Sequence, residues 1–233
     1  MPCGLYGKLP MKRDFISVAM PPAFLDLWEP WLQGGITASR LALGAQWRDV
    51  FLRAPIWRFW LGSQLCGLPA IGSVMPSVDA VGRFFPLTAF ACGEAGSAFR
   101  SPQQDRQDEW FGGIESLLLG ALDEDSVYEE LLEALGKLPG PQAAADAEGP
   151  AARDLFSARM VATDAPGQLD GAFSALLADR ERRADATGCF FWTIGGEGFA
   201  PAALFSTGLP DRNILTTFLS GEFSPSPALE SHA

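Results

Sequence analysis

The residues that could perform chemistry in this chain are carboxylates, four cysteines and one histidine, and their spacing supports few kinds of site. The histidine, His232, lies one residue before the last position. A Ser-His-Asp triad, a histidine general base and a multi-histidine metal site are therefore poorly supported. Cys3, Cys66, Cys92 and Cys189 are far apart and form no CxxC pair. We expect them to be reduced and to act as small apolar side chains.

The segment 75–86, MPSVDAVGRFFP, contains the most conspicuous charged pair. Asp79 and Arg83 lie four residues apart among glycine, aromatic residues and two prolines. A short polar segment in apolar surroundings is typical of a turn, or of a single helical turn, that is held by an ion pair. We expect the pair to maintain the fold of the segment, with a binding role as the alternative. The carboxylate could also act as a general base, but no suitable partner is evident.

Two further motifs are similar to ligand-binding loops only superficially. In GLYGKL, residues 4–9, two residues rather than four separate the glycines, and Leu9 follows Lys8 where a phosphate-binding loop has Ser or Thr. We predict a strand and a turn there rather than a nucleotide site. The acidic pairs at 123/125 and 129/130 lack the spacing of a calcium loop. They are expected to form a solvated helix face.

Three other charged residues, Asp14, Arg40 and Arg58, lie among apolar neighbours in the sequence. Because an unpaired buried charge loses its hydration, we expect each of them to have a partner. Pairing among the three is one option that the sequence leaves open.

The elements that must position these residues are helices mixed with short strands. A helix is expected from Pro22, broken around Pro30 and 34–35, with a second helical stretch through 39–43. Further helices are predicted over 46–53, 104–122 and 127–135, the last of these capped within 123–126. An amphipathic helix is predicted from 169, with Arg180, Arg182 and Arg183 at its end, and a final helix from Asp211 or Asn213 to about 219, with Gly221 as the stop. Strands are predicted over 56–61, 87–92, 189–194 and 203–206. Without regular βαβ alternation, this order predicts an α+β fold: a single globular domain over 1–233, with a mostly antiparallel or mixed sheet and helices packed on it.

Composition narrows the class of protein further. The 233 residues are 48% hydrophobic and 19% charged, which is too apolar for intrinsic disorder. The formal net charge of −11 does not suit a nucleic-acid-binding protein. No stretch approaches the roughly 18 apolar residues of a membrane span, and the N-terminus lacks the apolar core of a signal peptide. We therefore expect a cytoplasmic protein without membrane insertion.

Charge and aromatic residues are distributed in opposite ways along the chain. Residues 1–104 carry nine basic and six acidic residues, whereas residues 105–185 carry seven basic and eighteen acidic residues. We expect an aromatic-rich core unit with acidic helices packed on it, and a mobile surface loop over 139–152. Five tryptophans lie within 33 residues, most of them expected in the core and one or two at the surface: Trp28, Trp31, Trp47, Trp57 and Trp60.

Together these motifs resemble the TagF family, also called ImpM, of accessory proteins of bacterial type VI secretion systems. The resemblance is carried by GLYGKLP at 4–10, DF at 14–15, Trp28, Trp31, SR at 39–40, APIWRF at 54–59, MPSVD at 75–79 and GRFFPL at 82–87, and more weakly by 190–192 and GLP at 208–210. Arg13, where the family tends to have glycine, and CFFW at 189–192 depart from the pattern. The acidic segment 105–185 carries little of the resemblance.

The resemblance implies a non-enzymatic, post-translational repressor of type VI secretion whose partner is the forkhead-associated (Fha) scaffold protein. It implies no catalytic, cofactor or metal residue, and no cofactor. Some relatives carry a fused metal-dependent phosphatase domain, for which these residues leave no room, so phosphatase activity is not expected. The motif residues with a structural or partner-binding role are Lys8, Asp14, Arg40, Trp57, Arg58, Ser77, Asp79 and Arg83.

Two other readings remain open at this point: a small enzyme that depends on Asp79 or Cys92, and a purely structural secretion component. For the repressor, our hypothesis divides the binding kinetics between two surfaces. The acidic surface would set the association rate, and an aromatic or arginine patch within residues 1–90 would set the dissociation rate.

Overall fold

The structure, a computed structural model, describes residues 2–123, 125–144, 152–155, 158–163 and 166–223. The helices of this part are α1 (Pro22–Leu43), α2 (Trp47–Arg53), α3 (Asp108–Gly120), α4 (Tyr128–Lys137), α5 (Leu169–Thr187) and α6 (Ile214–Ser220). The strands are β1 (Cys3–Gly7), β2 (Ile16–Val18), β3 (Trp57–Leu61), β4 (Ala70–Met75), β5 (Leu87–Cys92), β6 (Arg153–Leu155), β7 (Ala158–Met160), β8 (Gly188–Thr193) and β9 (Ala202–Thr207).

Seven of the strands form one antiparallel sheet in the order β2-β1-β5-β4-β3-β8-β9, and β6 pairs with β7 separately. The predicted α+β class, with an antiparallel sheet and helices packed on it, is confirmed. The strands predicted at 56–61, 87–92, 189–194 and 203–206 are present within a residue or two. Strands β2 and β4 were not predicted.

Helices cover both faces of the sheet because side chains alternate along its central strands. On β3, Trp57 and Phe59 lie in a core formed with α1, α2 and α6. Trp60 lies in a second core on the opposite face, formed with α3 and α4. The ring of Trp57 stacks on that of Phe218 in α6 at 3.9 Å between centroids, and its indole Nε1 donates a hydrogen bond to the Phe218 carbonyl at 2.9 Å. This contact ties the C-terminal helix to the middle of the sheet.

The predicted break near Pro30 and 34–35 is wrong, because α1 runs continuously from Pro22 to Leu43. The glycines serve contact with another helix rather than a break. A Cβ on Gly34 would lie 2.3 Å from the Arg212 side chain, and one on Gly35 would lie 2.8 Å from that of Leu215. The absence of side chains at these positions lets α6 and the residues just before it pack directly against the α1 backbone.

Several smaller predictions are also corrected. All five clustered tryptophans are buried, so none of them can serve as a surface anchor. Helix α5 is present, but three residues of its predicted apolar face are about half exposed or more: Leu169, Phe173 and Leu177. Within the described residues, α4 begins without a side-chain cap. At α6 Asn213 makes no cap, but the Asp211 carboxylate accepts the Asn213 N–H at 2.9 Å just before the helix, and Gly221 ends the helix with a left-handed backbone as predicted. In the predicted mobile loop, residues 145–151 lie outside the described residues.

Candidate functional site

The predicted Asp79–Arg83 pair exists, and it is the centre of a larger network. Residues 77–85, here called the Asp79 turn, connect β4 to β5. The Arg83 Nε donates to the Asp79 carboxylate at 2.6 Å, and the Lys8 ammonium donates to the same oxygen at 2.7 Å. The other carboxylate oxygen accepts the backbone N–H groups of Val81 and Arg83 at 3.1 and 2.8 Å. Asp79 therefore joins the turn to the end of β1.

The backbone of the turn is fixed by further contacts with residues 8–13. The Ser77 hydroxyl donates to the Lys8 carbonyl at 2.7 Å, and the Ala80 N–H donates to the Lys12 carbonyl at 2.9 Å. Gly82 has a φ of 82°, a left-handed conformation that glycine adopts without steric cost. Its N–H donates to the Asp79 carbonyl at 2.9 Å and closes the turn. These contacts place Lys8, Ser77, Asp79 and Arg83 in one cluster.

Asp79 is poorly suited to proton transfer at neutral pH. Burial alone would raise the pKa of its carboxyl, but the hydrogen bonds from Lys8, from Arg83 and from the backbone of the turn outweigh burial and hold the pKa well below its usual range. The ionised carboxylate is thus a weak base whose two oxygens are already hydrogen-bonded. Its geometry fits a fixed counter-charge that orients Lys8 and Arg83.

A cavity of about 480 Å³ opens between the Asp79 turn and α1. We call it the cationic pocket, because the described residues that line it include three basic side chains, Lys8, Arg40 and Arg83, and no carboxylate. Its other lining residues are Phe15, Gln33, Ile36, Thr37, Phe84 and Phe85. On a protein of net charge −11, this lining is a local reversal of sign.

Aromatic rings hold two of these cations in place. The Arg40 guanidinium lies 4.3 Å from the ring centroid of Trp47, whose indole Nε1 donates to the Ser39 hydroxyl at 2.8 Å. The Lys8 ammonium lies 5.1 Å from the ring of Phe15, which is itself about half exposed. Cation–π contacts of this kind orient a charge without neutralising it. Arg40 therefore retains its charge for a ligand, whereas Lys8 shares the Asp79 carboxylate with Arg83.

Asp14, Trp57 and Arg58 do not line the cationic pocket. The option that Asp14, Arg40 and Arg58 pair with one another is wrong. Arg58 is buried and forms ion pairs with Glu115 and Asp108 of α3. Arg40 stacks on Trp47, whereas Asp14 is exposed and has no ion pair within the described residues. Arg58, like Trp57, thus joins layers of the fold rather than contributing to the cationic pocket.

The cysteines offer little nucleophilic character. Burial, and secondarily the neighbouring Cys66, raises the pKa of Cys92 to about 12, and burial raises the pKa of Cys189 to about 12. Burial also raises the pKa of Cys3 and of Cys66. A thiol with a raised pKa is protonated at neutral pH and reacts slowly. Within the described residues, no group of three His, Cys, Asp or Glu side chains is placed to hold a metal ion.

Sequence reasoning missed two features of the site. The Lys8–Asp79 contact spans 71 positions, and no local pattern indicates it. The exposed aromatic residue beside the cations is Phe15 rather than a tryptophan. Phe15 belonged to the DF motif at 14–15, but its exposure depends on the packing of Tyr6 and Phe85 beneath it.

Comparison with known proteins agrees with this architecture. Residues 4–138 match the model of the TagF N-terminal domain, described as type VI secretion system-associated. The chain is similar to the crystal structure of PA0076 from Pseudomonas aeruginosa, with 32% sequence identity and a TM-score of 0.79 over 97% of each chain. A comparison with proteins of curated function found no match. No helix of the described residues is both long and apolar enough to cross a membrane.

Proposed function

Because the chain belongs to the TagF family of type VI secretion-associated proteins, we propose that it is a non-enzymatic, post-translational repressor of type VI secretion that binds the Fha scaffold protein. The family supplies the association with the secretion system. What we propose beyond this association is the mode of action, which is repression by binding, and the identity of the partner, which is the Fha scaffold protein.

One structural observation carries the choice of binding over catalysis. Lys8, Ser77, Asp79 and Arg83 come from three separate motifs, yet they meet at one corner of the fold beside Arg40. The corner presents charged and aromatic surface, while its carboxylate is held ionised and hydrogen-bonded. The alternative enzyme would need an available base at Asp79 or a thiolate at Cys92, and the pKa shifts of both groups oppose this.

The acidic surface is a separate feature on the other side of the sheet. It comprises α4 and the turn before it, and its exposed carboxylates among the described residues are Asp123, Asp125, Glu129, Glu130 and Glu133. Clustered charge of one sign accelerates encounter with a partner of opposite sign, whereas affinity is concentrated in a few aromatic or arginine anchors. We assign the first role to the acidic surface and the second to Phe15, Arg40 and Arg83.

Pull-down from the native host, with and without the scaffold gene, tests the partner. The protein should retain the secretion apparatus only when the scaffold is present, and its overproduction should lower secretion of the system's substrates. Retention of the apparatus without the scaffold would contradict the proposed partner. Undiminished secretion on overproduction would contradict repression.

Binding kinetics test the two surfaces. Charge reversal of Asp123, Glu124, Asp125, Glu129 and Glu130 should slow association with the purified scaffold and flatten its salt dependence, leaving dissociation nearly unchanged. Phe15→Ala should instead accelerate dissociation. The matched control reverses five exposed carboxylates outside the acidic surface: Asp26, Asp49, Glu94, Glu197 and Glu222. An association rate that responds equally to both sets, or to neither, would overturn the kinetic assignment.

A further inference from the structure

The cationic pocket has more positive charge than its own residues neutralise. Lys8 and Arg83 share the single carboxylate of Asp79, so their cluster keeps one positive charge. Arg40 adds a second, because no carboxylate of the described residues lies within ion-pair distance of its guanidinium. Two uncompensated charges therefore face one cavity.

The donors around the cavity are also only partly used. Lys8 has three N–H donors, and its ammonium makes one hydrogen bond, to Asp79. Arg83 uses its Nε on Asp79 and one terminal nitrogen on the Arg13 carbonyl. Arg40 contacts the Trp47 ring and forms no ion pair with a carboxylate of the described residues, so its guanidinium N–H groups are available to a ligand. Several N–H groups that line one cavity are thus left for a ligand.

We propose that the cationic pocket binds the dianionic head of a phosphate monoester. A phosphate monoester carries −1.5 to −2 charges at pH 7 and has three acceptor oxygens, which matches two free charges and several donors. A carboxylate, with one charge and two oxygens, would leave one cation unpaired. The rings of Phe15, Phe84 and Phe85 form apolar walls against which the carrier of the phosphate packs.

The inference goes beyond the proposed function, because it concerns the chemistry of the ligand that the pocket binds. It does not depend on which protein of the secretion system is the partner. Its test uses the purified protein alone, so a failure here leaves the scaffold pull-down unaffected.

Titration with phenyl phosphate, followed by calorimetry and by NMR shifts, is the direct test. Phenyl phosphate should saturate the protein, and benzoate, which has the same ring and a single charge, should bind about tenfold more weakly or worse. Arg40→Gln should weaken phenyl phosphate binding by about tenfold and lower the melting temperature by no more than about 4 °C, the size expected for losing its contact with Trp47. Thr37→Asp, which places a carboxylate in the lining, should abolish binding.

The matched control is Arg53→Gln, which removes another exposed arginine from the neighbouring helix and should not alter the affinity. Equal affinity for benzoate and phenyl phosphate would overturn the proposal. So would the absence of saturable binding below about 10 mM, or equal losses in the Arg40 and Arg53 variants.

The source of the phosphate is distinguished by a phosphoserine peptide and its unphosphorylated form. Tighter binding of the phosphopeptide than of phenyl phosphate assigns the pocket to a phosphate carried on protein. Tighter binding of phenyl phosphate assigns it to a free ester. Equal affinity of the two peptides would contradict phosphate recognition.

Discussion

Removing Glu115 should destabilise the protein far more than removing Asp108, although both carboxylates pair with Arg58. Glu115 forms a two-pronged contact with the guanidinium, at 2.6 and 3.0 Å, and Asp108 forms a single contact at 2.8 Å. The two carboxylates differ more in their exposure to solvent than in these distances. The side chains of Arg58 and Glu115 are 6% and 13% exposed, whereas that of Asp108 is 52% exposed.

The magnitudes follow from this difference in burial. Removing Glu115 leaves the buried Arg58 charge balanced only by the half-exposed Asp108, so the cost should approach the roughly 3–5 kcal/mol of a broken buried ion pair. An exposed pair contributes about 0.2–1 kcal/mol. In a protein of this size, each kcal/mol lowers the melting temperature by roughly 2–4 °C. Glu115→Ala should therefore lower it by about 6–20 °C, and Asp108→Ala by no more than about 4 °C.

Urea unfolding and thermal melts at neutral pH measure both quantities. Glu109→Ala is the control, since Glu109 is an exposed carboxylate on the same helix. The double variant Arg58→Met/Glu115→Leu should recover most of the stability that Glu115→Ala loses, because it removes the unpaired charge and keeps the volume apolar. Losses below about 1 kcal/mol for Glu115→Ala would show that water reaches Arg58, and would refute the reasoning.

Three further predictions concern Asp79, the thiols and the close approach at Gly62. The lowered pKa of Asp79 stabilises the fold above the ordinary carboxyl pKa of about 4, and this contribution is lost as pH falls below it. The stability gap between wild type and Asp79→Asn in urea should therefore narrow below about pH 4, and a gap that stays constant would contradict this. Cys92 and Cys189 should react with a thiol reagent in the folded protein far more slowly than in urea at the same pH, whereas equal rates would show accessible thiolates. Gly62→Ala should lower the melting temperature, because its Cβ would lie 2.0 Å from the Asp185 carbonyl oxygen; an unchanged melt would show that α5 can shift.

The features that could be predicted from short stretches of sequence are those that depend only on residues close together in the chain. The Asp79–Arg83 pair is four residues apart, and the turn that holds it is specified by its own glycine and polar residues. Strands such as β3 and β5 are dense apolar runs, so their existence could be predicted without knowledge of their neighbours.

The remaining features depend on which elements become neighbours. Lys8 meets Asp79 across 71 positions, and Arg58 meets Glu115 across 57. Both contacts follow from the strand order and from the placement of α3 on the sheet, which no short pattern encodes. Helix α1 shows the same dependence: glycines that would weaken an isolated helix are tolerated because α6 packs on them.

The contact between Trp57 and Phe218 places the boundary of the cooperative folding unit well beyond the part that family comparison recognises. The match ends at residue 138, yet β3 pairs with β8 along its length and its Trp57 ring stacks on α6. A chain cut after 138 would expose the β3 edge and leave the Trp57 indole N–H without its acceptor. The segment that the family model matches is thus shorter than the unit that the β3–β8 pairing and the Trp57–Phe218 contact hold together. Fragments designed to isolate the activity of the recognised part should extend at least through α6.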